Sequence, residues 1–522
     1  RQVVYVGGND GMLHAFNGGF WDTTTSAFLT TDPTTASRTA HPLGTELWGY
    51  VPGNLLPHLQ WLKDPDYPHV YYVDGSPQVF DVNIFSNDAT HPKGWGTILV
   101  VGMRFGGGPF SIDTDGDAVK ETITRSAVTV FDITDPEQPP TLLAEIAQPG
   151  MGFTTSLPQI VKARQAGAGN DWINPSQNDW KLVFASGPDN LSDASSSQQG
   201  TFYVHDLKLG TTATYSMGTG AVNGFGGDVT VVDWDRDFID DVVYAGVVTG
   251  TPATQGGEIA RLQLSGNSVS TLFSPGSPFV SAPNVALDSN GDHWIHMGSG
   301  RLFAVGDNTT TVQQNFFGMK EPLDGLGAFD WSTLAIAGLS NHTSIQVFDD
   351  ASILPNPFTI ATYSVSTYPG ILNAMQGVDG WYKQFEADGT NPSRRSITAA
   401  VQVGKVLLYT DYKPSGNLCS PEGTSRLNVV DYRTGTAMPH GALGFDASVL
   451  NGTATLAPDS LDLGQGVAST PVVHTGSGNG GSSTGFPVTV FTQQTTGEIT
   501  RTQVTLPPAV GGRQSWRELY LD

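Results

Sequence analysis

Asp233, Asp235, Asp237 and Asp241 occupy the first, third, fifth and ninth positions of the segment Asp233-Trp-Asp-Arg-Asp-Phe-Ile-Asp-Asp241. Four carboxylates in one short turn repel one another. A hard cation that takes oxygen ligands removes the repulsion, and calcium fits the donor set best. The spacing is that of the first half of an EF-hand loop, which makes the Ile239 carbonyl the backbone ligand. The flanking runs Val229–Val232 and Val242–Ala245 read as strands, so the loop is expected in a β-hairpin and not between helices. Asp240 is expected to face solvent, and Arg236 to offset some charge by pairing outward. A solvated Asx-type turn is the plain alternative. It gives no reason for acids at every one of these ligand positions.

A second segment repeats the grammar: Asp113, Asp115, Asp117, the Val119 carbonyl and Glu121 form a second candidate calcium set, and Gly116 allows a tight bend. It sits in an insertion between Gly108 and Ala127. Asp288-Ser-Asn-Gly-Asp292 copies only the first three positions and has His296 at the ninth, so a plain turn is expected there. His293 and His296 lie three apart on a strand-like run. Strand residues at that spacing point to opposite faces, which argues against a zinc pair. Gly106–Gly108 lacks the Lys-Ser/Thr signature and helix of a phosphate loop. No Gly-x-Ser-x-Gly elbow exists. Cys419 has no adjacent His or Lys to lower its pKa, so a structural or surface thiol is expected.

Short strands must carry these loops. The 522 residues include 63 Gly and 33 Pro, a β-rich composition with many turns. Lys and Arg number 25 against 49 Asp and Glu, for a net charge of −24. That surface repels nucleic acid and anionic membranes and favours cations and basic partners. One cysteine excludes an internal disulfide framework. No apolar run reaches the ~20 residues that span a bilayer, so no membrane insertion is expected. The chain opens at Arg1 directly in a strand-like run, so a C-terminal fragment of a longer protein is expected.

Strand pairs recur. Val3–Val6 precedes Met12–Phe16, Ile98–Val101 precedes Ala127–Phe131, and Leu182–Ala185 precedes Thr201–Val204. Val229–Val232 precedes Val242–Ala245. Val285–Leu287, Trp294–Met297 and Leu302–Val305 form a further set. Val401–Tyr409 precedes Leu427–Asp431, and Pro471–Val473 precedes Val488–Phe491. Several units end on an Asp: Phe131-Asp-Ile-Thr, Val204-His-Asp-Leu and Val430-Asp-Tyr-Arg. The weak repeat predicts an all-β, seven-bladed modified β-propeller, residues 1–522 as one domain. Inserted loops (Thr23–Ala40, Gly476–Gly485) and a short helical connection within Pro42–Pro68 interrupt it. A sandwich array is the structural competitor.

The motifs Val4-Tyr-Val-Gly-Gly-Asn-Asp-Gly-Met-Leu-His-Ala-Phe16, Glu46-Leu-Trp-Gly-Tyr-Val-Pro52, Tyr71-Tyr-Val-Asp-Gly-Ser-Pro77 and Arg104-Phe-Gly-Gly-Gly108 follow in order. So do Arg395-Ser-Ile-Thr398, Tyr412-Lys-Pro-Ser415, Asp431-Tyr-Arg-Thr-Gly435 and Gly466-Val-Ala-Ser-Thr-Pro471. Together they resemble the C-terminal propeller of the PilC/PilY family of type IV pilus biogenesis proteins, over essentially the whole chain. The resemblance implies a non-enzymatic calcium-binding pilus-tip adhesin and assembly factor that supports pilus extension against retraction. It implies a location outside the bacterial cytoplasm, at the pilus tip or the periplasm and outer membrane. It implies as partners pilin or minor pilin subunits, a host or abiotic surface receptor, and the protein's own N-terminal domain. The family's calcium loop matches Asp233, Asp235, Asp237, Ile239 and Asp241. The Arg-Gly-Asp tripeptide of some members has no copy here.

Two other functions compete. A carbohydrate- or protein-binding propeller without a pilus role could use Trp21, Trp61 and Trp381 as platforms. A quinoprotein-like dehydrogenase shares the propeller and calcium, but the repeated Trp-docking motif and adjacent cysteines are missing.

Overall fold

A computed structural model describes residues 1–31, 41–113, 117–120, 122–165, 178–416, 423–475 and 485–507. Cys419, Asp115, Glu121, the second half of Thr23–Ala40 and nearly all of Gly476–Gly485 lie outside them. The chain is nearly all β, with 45% strand and 7% helix. Among the described residues no helix is long and apolar enough to cross a membrane.

The residues group into two compact units. The first holds Arg1–Pro283, Arg301–Asp307 and Leu323–Leu334. Among the described residues it contains four four-stranded sheets and one two-stranded hairpin. The fourth is a meander of Gly224–Val232, Val242–Thr249, Ile259–Gln263 and Ser268–Phe273, each strand antiparallel to the next. Burial explains its sequence. Val242–Thr249 is central and almost wholly buried, so it reads as an unbroken apolar run. The edge strand Ser268–Phe273 is exposed at one end and more polar. Sheets pack face to face through small residues. Val183, Ala185 and Val204 of the third sheet share one apolar cluster with Val229, Val243 and Ala245 of the fourth. Gly226 is required there, because a Cβ would stand 2.3 Å from the Ala185 methyl.

The second unit holds Asn284–Gly300, Asn308–Pro322 and Ala335–Asp522. Among the described residues it has a five-stranded sheet, two four-stranded sheets and a three-stranded sheet. One four-stranded sheet is interleaved in sequence: Gln346–Phe348 pairs with Ala454–Ala457, more than a hundred residues on. The five-stranded sheet includes a parallel pair, Leu339–Asn341 with Gly380–Gln384.

The expected hairpins and pairs form in register. The Asp-ended strands have a local cause. Asp132, Asp206 and Asp431 each accept backbone N–H groups two residues on, from Thr134, Lys208 and Arg433, closing Asx turns where the strand must reverse. Three expectations need correction. Leu302–Val305 is not a strand: Val305–Thr309 is a 3-10 helix, because the buried Asp307 carboxylate accepts the Phe303 and Ala304 N–H groups. Val401–Tyr409 is two strands, Val401–Val403 and Val406–Lys413, reversed at Gly404 with φ +59°. The helical connection is 3-10, Gly53–Lys63, and contains Pro57, which removes an N–H donor.

Candidate metal centre

The Asp233–Asp241 loop joins the strands Gly224–Val232 and Val242–Thr249 of the first unit. Its carboxylates are aimed by its own amides. Asp233 accepts the N–H groups of Arg236 at 2.6 Å and Phe238 at 2.8 Å. Asp235 accepts that of Asp237 at 3.0 Å, and Asp237 that of Ile239 at 2.9 Å. Arg236 and Phe238 carry φ of +62° and +67°. These left-handed bends fold the chain around the acids at a cost in strain. One oxygen each from Asp233, Asp235 and Asp237 lies within 4.8 Å of the others. Oxygens on opposite sides of one calcium at ~2.3–2.6 Å stand about 5 Å apart, so the trio fits that ion.

Asp241 sits outside this trio. Its carboxylate accepts the Trp234 N–H at 2.7 Å and closes the loop at its base. Burial, the largest cause, pushes its pKa up, and Asp235 and Asp233 add to the rise. Ile239 has its side chain buried, 9% exposed, and Trp234 Nε1 donates to the Tyr244 hydroxyl at 3.1 Å. These two apolar groups anchor the acidic loop on the sheet.

Asp240 does not face solvent as expected. It is half-buried, and its carboxylate accepts the Lys162 backbone N–H. Burial is the chief reason its pKa rises to about 6, with Asp233 and Asp241 contributing. The charge partner within the loop is not Arg236 but Arg164 of the third sheet, whose guanidinium stands 2.8 Å from Asp237. Sequence reasoning missed Arg164 because it lies 73 residues away.

Of the second candidate set, Asp113, Asp117 and Val119 lie between the paired strands Phe110–Ile112 and Thr122–Thr124. Asp113 accepts the Ala118 N–H and Asp117 the Val119 N–H, each at 2.8 Å, while the Val119 side chain is 59% exposed. Asp115 and Glu121 fall outside the described residues. In the third loop Asp288 accepts the Asn290 and Asp292 N–H groups, and Asp292 pairs with Lys320 at 2.8 Å. That turn is already satisfied by a lysine. His296 is buried, its Nε2 faces the Tyr432 carbonyl, and burial lowers its pKa to about 4. Trp381 cannot be a platform, because it is fully buried in the core of the second unit. Trp21 is 52% exposed, and Trp61 packs on His58 and Phe110.

A family model described as the PilY1 beta-propeller domain matches residues 1–270. The chain is 25% identical over 537 residues to a type IV pilus biogenesis factor PilY1 homolog of Xylella fastidiosa, covering 99% of this chain and 35% of that protein. It is 23% identical over 471 residues to the type IV pilus biogenesis factor PilY1 of Pseudomonas aeruginosa, covering 83% and 34%. The chain thus spans about a third of the length of these curated relatives. The crystal structure of the Pseudomonas aeruginosa PilY1 C-terminal domain matches with a TM-score of 0.57 at 18% identity, covering 97% of this chain and 93% of that one. At that identity the structural match speaks for the fold.

Proposed function

This chain belongs to the PilY1 β-propeller family, and from that premise we propose that it is the propeller region of a type IV pilus biogenesis factor that binds calcium in the Asp233–Asp241 loop. The observation that carries the calcium reading is the convergence of Asp233, Asp235 and Asp237 within 4.8 Å, on a loop whose own amides orient them. The pilus reading rests on the family and on its relatives, which are type IV pilus biogenesis factors. The protein acts outside the cytoplasm, at the pilus tip or the cell envelope. Its partners are pilin or minor pilin subunits, a surface receptor and its own N-terminal region. It is not an enzyme.

Bound calcium would supply charge neutralisation that water supplies poorly in so tight a turn. This chain's residues do the rest. Asp241 holds the loop closed, Arg164 shares the charge of Asp237, and Asp240 ties the loop to the strand Gln159–Arg164. Occupancy then stabilises the loop and the neighbouring sheet edge by mass action, which biases the domain toward the state that supports pilus extension and surface attachment. The experiment is complementation of a deletion strain. Wild type restores surface pili, and Asp235→Ala changes pilus number or twitching in a calcium-dependent way. Wild-type behaviour of Asp235→Ala at all calcium levels contradicts the assignment. Normal piliation in the deletion strain contradicts the pilus role.

A further inference from the structure

The second unit contains a cavity of ≈ 530 Å³ with a wall that none of the features above uses. Its volume falls in the ~300–1,000 Å³ range of small-molecule sites. Strands Gly380–Gln384, Val406–Lys413 and Thr424–Asp431 supply most of the lining, together with Phe385 and Asp459.

The charges in this wall are already paired. Lys383 bonds Asp459. The fully buried Asp411 carboxylate accepts Arg394 at 2.5 Å and Asn428 at 2.7 Å, with Arg426 at 3.4 Å. Glu386 pairs with Lys413 at 2.5 Å. An ionic ligand would therefore find no uncompensated partner, and would lose its own hydration on entry. What the wall offers is fixed hydrogen-bonding groups without net demand for charge.

One group stands unused. Tyr409 is 1% exposed and lines the cavity, yet among the described residues no partner for its hydroxyl is found. Its ring is fixed by stacking on Phe316 at 3.7 Å. Burial, the main cause, raises its pKa well above the ordinary phenol value, so the hydroxyl stays a neutral donor and acceptor. A hydroxyl that borders a cavity and has no protein partner bonds to whatever fills that cavity. Phe385, buried in the same core cluster, packs its ring against that of Tyr409.

We propose that this cavity binds a neutral saccharide. Sugar hydroxyls donate and accept at once, which suits the Tyr409 hydroxyl, the Gln384 and Asn428 amides and the Asp411–Arg426 pair. No ionic group is needed on either side.

The test is titration calorimetry of the 522-residue chain with galactose, glucose, mannose, N-acetylglucosamine and lactose. Sialic acid and a tetra-alanine peptide serve as the charged and peptide probes. At least one neutral sugar is expected to bind, and Tyr409→Phe to weaken it about fivefold, the value of one hydrogen bond. Gln384→Ala alters an exposed lining residue and is expected to weaken binding with an unchanged melting temperature. It decides the matter if Tyr409→Phe fails to fold. Absence of binding by every neutral sugar overturns the proposal. So does binding by sialic acid or the peptide alone, or sugar binding that folded variants leave unchanged.

Discussion

Asp240 is bonded twice to the backbone of Lys162: its Oδ2 accepts the Lys162 N–H at 2.7 Å, and its own N–H donates to the Lys162 carbonyl at 3.0 Å. An acidic side chain thus extends hydrogen bonding from the metal loop to the neighbouring sheet. Asp240→Ala leaves the Lys162 N–H without its acceptor and is expected to lower stability by about 1–3 kcal/mol. Hydrogen exchange at Lys162 should speed up, and the denaturation midpoint should fall. Unchanged protection at Lys162 would show that the link carries no energy.

Arg164 competes with a cation for Asp237. The pair is part-exposed, so its loss is expected to cost the metal-free protein less than about 1 kcal/mol. Arg164→Met is expected to tighten calcium binding a few-fold at low salt, with the difference shrinking as salt screens the pair. Weaker binding in this variant would mean that Arg164 organises the loop and does not compete with the ion.

Asp228 gives stability a pH dependence. Burial, above all, raises its pKa from 3.8 to about 6, against the lowering by the Leu157 N–H and Arg104. The folded state therefore holds this proton more tightly than the unfolded chain. The associated stability is full below about pH 4, is lost as pH rises through 6, and amounts to about 3 kcal/mol at most. Asp240 titrates in the same window in metal-free protein. Denaturation midpoints between pH 4 and 7 should decline in wild type, and less steeply in Asp228→Asn.

Arg301 and Asp307 form a wholly buried pair at 2.9 Å in the first unit. Arg301 also donates to the Asp193 and Gly250 carbonyls, which pins three loops together. Arg301→Met leaves a buried carboxylate behind and is expected to cost about 3–5 kcal/mol, read as a large fall in the urea midpoint. A change within about 0.5 kcal/mol would mean the site rehydrates freely.

The local features were legible from sequence, and the long-range ones were not. Hairpins such as Val229–Val232 with Val242–Ala245 announce themselves, because apolar runs and a turn lie within one short window. The Asp233 loop was visible for the same reason. Its partners Lys162 and Arg164 were not, since strand packing brings them in from another sheet. The pairing of Gln346–Phe348 with Ala454–Ala457 was invisible for that reason too, as short strands this far apart leave no periodic trace. Leu302–Val305 misled because its apolar residues fit a strand, while the deciding contacts, the Phe303 and Ala304 N–H groups on the buried Asp307 carboxylate, depend on a residue beyond the run. Trp381 misled because composition does not tell a core ring from a surface platform.

The most direct measurement is calorimetric calcium titration of wild type against Asp235→Ala. Asp235 is exposed and its carboxylate accepts the Asp237 amide at 3.0 Å, so its removal takes away a ligand with little cost to the fold. Wild type is expected to bind calcium and to gain thermal stability with it. The variant is expected to lose more than about tenfold in affinity, with its calcium-free melting temperature unchanged. Equal affinities in the two proteins would contradict the assignment of calcium to this loop.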